Sequence, residues 1–146
     1  MTDDEDRIYR RDLPHWRGRD IVYFVTWRVS ATRRHLLPPQ RAVVAAALQH
    51  FDGQRYDLLA YVVMDDHVHV VVGPRCVRLE RIVHSWKSFT AHAIGGGRLW
   101  QPEYQDRIIR DDTELRRTVR YVLENPGRRW PGARTYPFVW AMPDLV

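Results

Sequence analysis

Two imidazoles stand two residues apart in the run His67-Val68-His69-Val70-Val71-Val72-Gly73. Side chains alternate across a β-strand, so His67, His69 and Val71 share one face and Val68, Val70 and Val72 share the other. The second face is apolar and suits a core. The first presents two nitrogen ligands a single pleat apart, a spacing that fits one metal ion. The pattern is short, and a histidine pair also sits harmlessly on a half-wet sheet, so both readings stand at this point. A second constellation lies far along the chain. In a helix that begins near Asp112 or Thr113, the positions Leu115, Val119, Val122 and Leu123 form a core stripe, and Tyr121 falls off it. Arg117 lies one turn before Tyr121 and Asn125 one turn after, which makes a second stripe. A phenol displayed beside an amide and a guanidinium suits attack on a phosphodiester, with the arginine steadying charge on the phosphate. A tyrosine packed on arginine at the solvent edge is the plainer alternative.

These groups need elements to hold them. The histidines belong to the second of two apolar, β-branched runs, Leu58 to Met64 and His67 to Gly73, separated by Asp65-Asp66. That pattern predicts an antiparallel pair with a tight connection, although the break lacks the glycine that a two-residue hairpin prefers. Ile21 to Val29 reads as a further strand, suited to the centre of a sheet. Pro38-Pro39 opens a helix from Gln40 to Phe51, which Asp52-Gly53 stops. A second helix spans Arg78 to Ile94 on the apolar spacing Leu79, Ile82, Val83, Trp86, Thr90 and Ala93, with Lys87 on its other side. Tyr104 to Arg110 reads as a short edge strand, and the third helix runs to about Asn125, where Pro126-Gly127 is expected to end it.

The order predicts an α+β fold, a ferredoxin-like βαββαβ sandwich whose two helices cover one face of an antiparallel sheet. A further C-terminal helix carries the tyrosine. If the helices pack on Val68, Val70 and Val72, then His67 and His69 emerge on the uncovered face. Three divisions follow: an irregular basic arm at residues 1–20, the domain at 21–126, and a basic, aromatic tail at 127–146 that packs on or extends it.

Composition narrows the setting. A chain of 146 residues, 45% hydrophobic and 28% charged, supports one domain with a real core. The formal charge is +5, and Lys87 is the only lysine, so 22 of the 23 basic residues are arginine. Arginine pairs with phosphate and stacks on bases, which favours a polyanionic partner; a base-composition bias toward arginine gives the same excess. Cys76 is the only cysteine, which excludes an internal disulfide and a multi-cysteine zinc site and suits a reducing compartment. No apolar run reaches the length of a membrane span, and the start has the marks of no signal peptide, so no membrane partner and a cytoplasmic setting are expected.

The residues also carry a family likeness. Met64-Asp65-Asp66-His67-Val68-His69, the earlier Tyr23-Phe24-Val25-Thr26-Trp27-Arg28, Trp100-Gln101, and Arg120-Tyr121-Val122-Leu123-Glu124-Asn125-Pro126, in that order, resemble the single-tyrosine HUH transposases. The likeness is greatest to the REP-associated tyrosine transposases. It implies that His67 and His69 are metal ligands, that Tyr121 is the nucleophile, and that Asn125 takes the place of a polar third ligand. It further implies Mg²⁺ or Mn²⁺ as cofactor, two imidazoles suiting Mn²⁺ better. The implied reaction cleaves and rejoins single-stranded DNA through a 5′-phosphotyrosine at a hairpin with a flanking single strand. Lys87, Arg117, Arg10, Arg11, Arg17, Arg128 and Arg129 are candidate DNA contacts. The family includes monomers and homodimers, and a tyrosine can serve its own or its partner's site. One departure is visible: Asp65 stands where the family usually has proline. A non-catalytic nucleic-acid-binding module and a phosphodiesterase using a water nucleophile are the alternatives.

Overall fold

Alternating apolar residues form the strands of one sheet, and each face of that sheet has its own cover. The structure is a computed structural model and describes residues 21–146. The expected arm at 1–20, with Arg10, Arg11 and Arg17, lies outside the described residues. Strand β1 (Val22–Arg28) is followed by helix α1 (Pro38–His50), strands β2 (Tyr56–Val63) and β3 (His67–Pro74), helix α2 (Leu79–Ile94), strand β4 (Gln105–Ile109), helix α3 (Asp112–Arg129) and strand β5 (Val139–Ala141). The sheet order is β4-β1-β3-β2-β5, with every neighbouring pair antiparallel. The first four strands and two helices make the ferredoxin-like plan. In the tail, β5 joins the outer edge of β2.

Val68, Val70 and Val72 face α1 and α2, where they meet Val44, Leu48, Ile82, Val83 and Trp86 in the larger core. The buried positions of α2 follow the expected stripe except at Ala93, which is exposed, while Ile94 packs partly against the core. The other face is also covered, which corrects the expectation of an open one. Leu115, Val119 and Val122 of α3 pack there on Leu59, Ala60, Val62 and Val71. Burying each of these leucine and valine side chains stabilises the fold by roughly 1.5–3 kcal/mol. A register shift between Leu58 and Ala60 turns both Leu59 and Ala60 toward α3, which widens that apolar surface.

The third helix departs from expectation at its end. It runs through Pro126 and Gly127 to Arg129. Proline removes one helical donor, that toward the Val122 carbonyl, and disfavours continuation. Here a tertiary contact and the helix's own cap hold the last turn: Arg129 reaches the Asp65 carboxylate, and the Trp130 N–H donates four residues back to the Pro126 carbonyl at 2.8 Å. At the other end, Asp111 accepts from the Glu114 N–H at 2.8 Å and caps the helix.

Candidate active site

The β2–β3 connection is Met64-Asp65-Asp66, and none of the three has a positive φ. The surrounding backbone holds the turn in place of a glycine. The Met64 N–H donates to the His67 carbonyl at 2.8 Å, the Leu36 N–H to that of Asp65 at 2.6 Å, and the Val29 N–H to that of Asp66 at 2.9 Å. The histidines that follow are therefore anchored from three sides.

Directly opposed residues of an antiparallel pair share a face. Thr26 pairs with His69 and Arg28 with His67, so β1 lines the histidine face with Phe24, Thr26 and Arg28. Thr26 Oγ1 lies 2.7 Å from His69 Nδ1. Asp66 Oδ1 lies 2.7 Å from His67 Nδ1. Burial alone would raise the Asp66 carboxyl, but the hydrogen bond and charge of His67, with Arg129 and Arg28 beyond, hold it below its ordinary value. An ionised carboxylate only accepts, so His67 Nδ1 is the donor.

The other ring nitrogen, Nε2, faces an amide. Asn125 donates through Nδ2 to the Tyr121 carbonyl at 3.3 Å, which turns its Oδ1 toward His67 Nε2, also at 3.3 Å. The two polar atoms converge beside His69, where they could share a cation. His69 stands beside them, its ring 4.5 Å from that of His67. It is 6% exposed; burial above all, then the positive charges of His67, Arg28 and Arg128, pushes its pKa from 6.5 down to about 3. A neutral imidazole at physiological pH is the form that binds metal. Among the described residues no three His, Cys, Asp or Glu side chains cluster, and the buried Asn125 amide is a further oxygen donor beside the two histidines. Two imidazole nitrogens and one amide oxygen fit a divalent ion of the Mn²⁺ type.

Tyr121 lies against this group within the same chain. Its ring centre is 5.5 Å from that of His69 and 6.1 Å from Phe24, edge-on to the latter. The side of Tyr121 away from the sheet is open, and the residue is 45% exposed. Arg128 lies over its ring at 4.7 Å and donates to its carbonyl at 3.0 Å. Arg117, Arg107, Glu114 and Thr118 line a cavity of about 390 Å³ beside Tyr121.

The sequence-predicted residues thus divide. His67, His69, Asn125, Tyr121, Arg117 and Arg128 come together. Arg129 is close, but its guanidinium is committed to Asp65 at 3.0 Å. Lys87 lies on α2 over the opposite sheet face, and its ammonium donates to the carbonyls of Gln101 at 2.8 Å, Pro102 at 3.1 Å and Glu103 at 3.4 Å. Burial lowers its pKa. The Trp100-Gln101 pair pins this loop to the sheet and to α2, with the Gln101 N–H donating to the Arg28 carbonyl at 2.9 Å and Trp100 Nε1 to Thr90 Oγ1 at 2.9 Å. Thr26, Asp66, Phe24 and Arg28 were not among the expected site residues. Only the register of β1 on β3 reveals three of them, although the alternation within Phe24-Val25-Thr26-Trp27-Arg28 already placed those three on one face.

Neither a protein-family model nor a curated protein sequence matches this chain. Solved structures do. The chain is similar to a REP-associated tyrosine transposase bound to a REP hairpin, at 24% identity and a TM-score of 0.70, over 82% of this chain and 75% of that one. It is also similar to a protein from Deinococcus radiodurans R1 provisionally assigned as a transposase, at 22% identity and a TM-score of 0.53, over 75% of this chain and 94% of that one. The chain has the fold of these proteins.

Proposed function

We propose that the protein is a metal-dependent single-tyrosine HUH transposase that cleaves and rejoins single-stranded DNA beside a hairpin. The observation that carries this reading is the convergence of His67 Nε2 and the Asn125 amide oxygen, 3.3 Å apart, beside His69, with Tyr121 of the same chain against them. His67, His69 and Asn125 would hold the cation. Bound there, a divalent ion supplies Lewis-acid polarisation of a phosphate oxygen. The chain's own residues do the rest. Tyr121 Oη attacks phosphorus in line, a tyrosyl–phosphorus bond forms, and the bond to the 3′-oxygen breaks. The phenol loses its proton and the departing 3′-oxygen gains one, leaving a 3′-hydroxyl and a 5′-phosphotyrosine. Attack by another 3′-hydroxyl reverses the step and joins strands. Arg128, stacked on the phenol, and Arg117 supply positive charge on the open side where a phosphate would lie. The hairpin bound by the structural neighbour and the arginine excess support a hairpin DNA substrate.

The test is incubation of the protein and Mn²⁺ with end-labelled DNA hairpins carrying randomised single-stranded flanks, followed by a denaturing gel. The expected product is a covalent protein–DNA adduct that Tyr121→Phe does not form. Cleavage without adduct in either protein would assign a water nucleophile instead. Binding without cleavage would leave a binding module.

A further inference from the structure

The turn residue that breaks the family pattern is built into the same site. Asp65 is 8% exposed, its Oδ2 accepts from Arg129 Nη2 at 3.0 Å, and His35 Nε2 lies 3.8 Å from that oxygen. Its Oδ1 is buried with no hydrogen-bond partner among the described residues. Such a carboxylate is costly to bury unless a cation is fixed beside it. Arg129 is the last residue of α3, three residues beyond Pro126.

Three contacts then run in parallel. His69 faces Tyr121, with ring centres 5.5 Å apart; His67 faces Asn125 at 3.3 Å; Asp65 faces Arg129 at 3.0 Å. Each step moves back two residues along the hairpin and forward four along the helix. From His69 to His67 two strand residues rise about 6.6 Å against about 6 Å for four helical residues, and the Asp65–Arg129 contact carries the series one step further, into the turn. Tyr121, Asn125 and Arg129 share one helix face for the same reason. A single contact would leave α3 free to pivot or slide on the sheet. A second, one helical turn away and charge-assisted, fixes both its rotation and its lengthwise register.

We infer that the Asp65–Arg129 pair is a latch that sets the register of the tyrosine helix on the histidine hairpin, so that Tyr121 serves the histidines of its own chain. Both are positioning residues, and the inference rests on the function proposed above. Proline at position 65 offers no such anchor. Here the latch holds a helix that Pro126 would otherwise end, and it does so at the point where the helix carries the nucleophile and the third ligand.

The experiment compares the parent with Asp65→Asn, Arg129→Gln and the reversal Asp65→Arg/Arg129→Asp in the full chain. Expected in both single variants is faster amide exchange over residues 122–129, unchanged hairpin affinity, and adduct formation slowed by about a hundredfold, the order a misplacement near 1 Å can cause. Where the reversal folds, it restores part of the rate. A role confined to stability would slow nothing at a temperature where the variants stay folded. Mixing His67→Ala with Tyr121→Phe chains adds a second arm: an intact latch yields no adduct. Parental exchange and parental adduct rates in both single variants would overturn the inference, as would full adduct formation by the mixed chains. If the parent itself forms no adduct, the proposed function fails, while amide exchange alone still decides whether the pair latches the helix.

Discussion

Acidification should unlock this site at His69 before the carboxylates titrate. His69 is buried between the rings of Phe24, at 5.1 Å, and Tyr121, with Thr26 on one nitrogen. Desolvation first, then the neighbouring charges of His67, Arg28 and Arg128, lowers its pKa from 6.5 to about 3. An unfolded chain takes up a proton on this ring as pH falls through 6.5, whereas the folded chain does not until about 3. Between those values the unfolded state binds more protons, so the stability that His69 contributes is complete above pH 6.5 and is lost as pH falls toward 3. The whole interval, at about 1.4 kcal/mol per pH unit, sets a ceiling of about 5 kcal/mol. Down to about pH 4.5, above the ordinary range of carboxylates, the loss comes to about 3 kcal/mol, a large part of a typical domain's 5–15 kcal/mol. The assay is metal-free urea unfolding, followed by tryptophan fluorescence, at intervals from about pH 7 to about pH 4.5. His69→Gln removes the titrating ring and leaves the other groups, so its stability should fall less steeply than the parent's by about that amount. Parallel pH profiles for parent and variant would refute the reasoning.

Three further outcomes follow from other contacts. Thr26→Val keeps the shape but removes the hydroxyl that orients His69 at 2.7 Å, and calorimetric titration should show Mn²⁺ affinity lower by about 10- to 100-fold; unchanged affinity would remove Thr26 from the site. Tyr56→Phe deletes a buried hydroxyl that donates to the Leu48 carbonyl at 2.6 Å and accepts from Trp86 Nε1 at 3.0 Å, so urea unfolding should report a loss of about 1–3 kcal/mol. Lys87→Met should speed amide exchange over residues 101–105, because three loop carbonyls lose their donor, while leaving the salt dependence of hairpin binding unchanged; a slope smaller by about one would make Lys87 a phosphate contact after all.

The strands and their faces could be read directly, because β-branched residues alternate there and a buried face demands it. Val68, Val70 and Val72 define one core, and the sheet order follows from the ferredoxin-like plan. What resisted reading was whatever depends on a distant partner. Pro126-Gly127 is a stop signal locally, yet the helix continues because Asp65, far back in the chain, holds Arg129. The tail after Arg129 has no period, yet Val139–Ala141 pairs with β2 because that edge strand offers unused backbone donors and acceptors. Lys87 looked like a surface cation on the polar side of α2; the loop at Gln101 to Glu103 turns it inward.

The covering of the histidine face has a chemical consequence that an open face would lack. Were the sheet bare there, His69 would be solvated, and its charged and neutral forms would compete near neutral pH. With α3 packed on it, His69 is buried and neutral, and Asn125 is carried down to 8% exposure beside His67. Tyr121, one turn earlier on the same helix, stays at the rim and is nearly half exposed. One helix therefore does two opposed things. It closes the histidine side, where desolvation keeps His69 neutral, and it leaves the phenol open toward Arg117 and Arg128. On the function proposed here, DNA must then approach from the rim and not across the sheet. A rotation of α3 by a single residue, about 100°, would carry Tyr121 and Asn125 off this face together, so the site depends on the register of that helix as much as on the identity of any ligand.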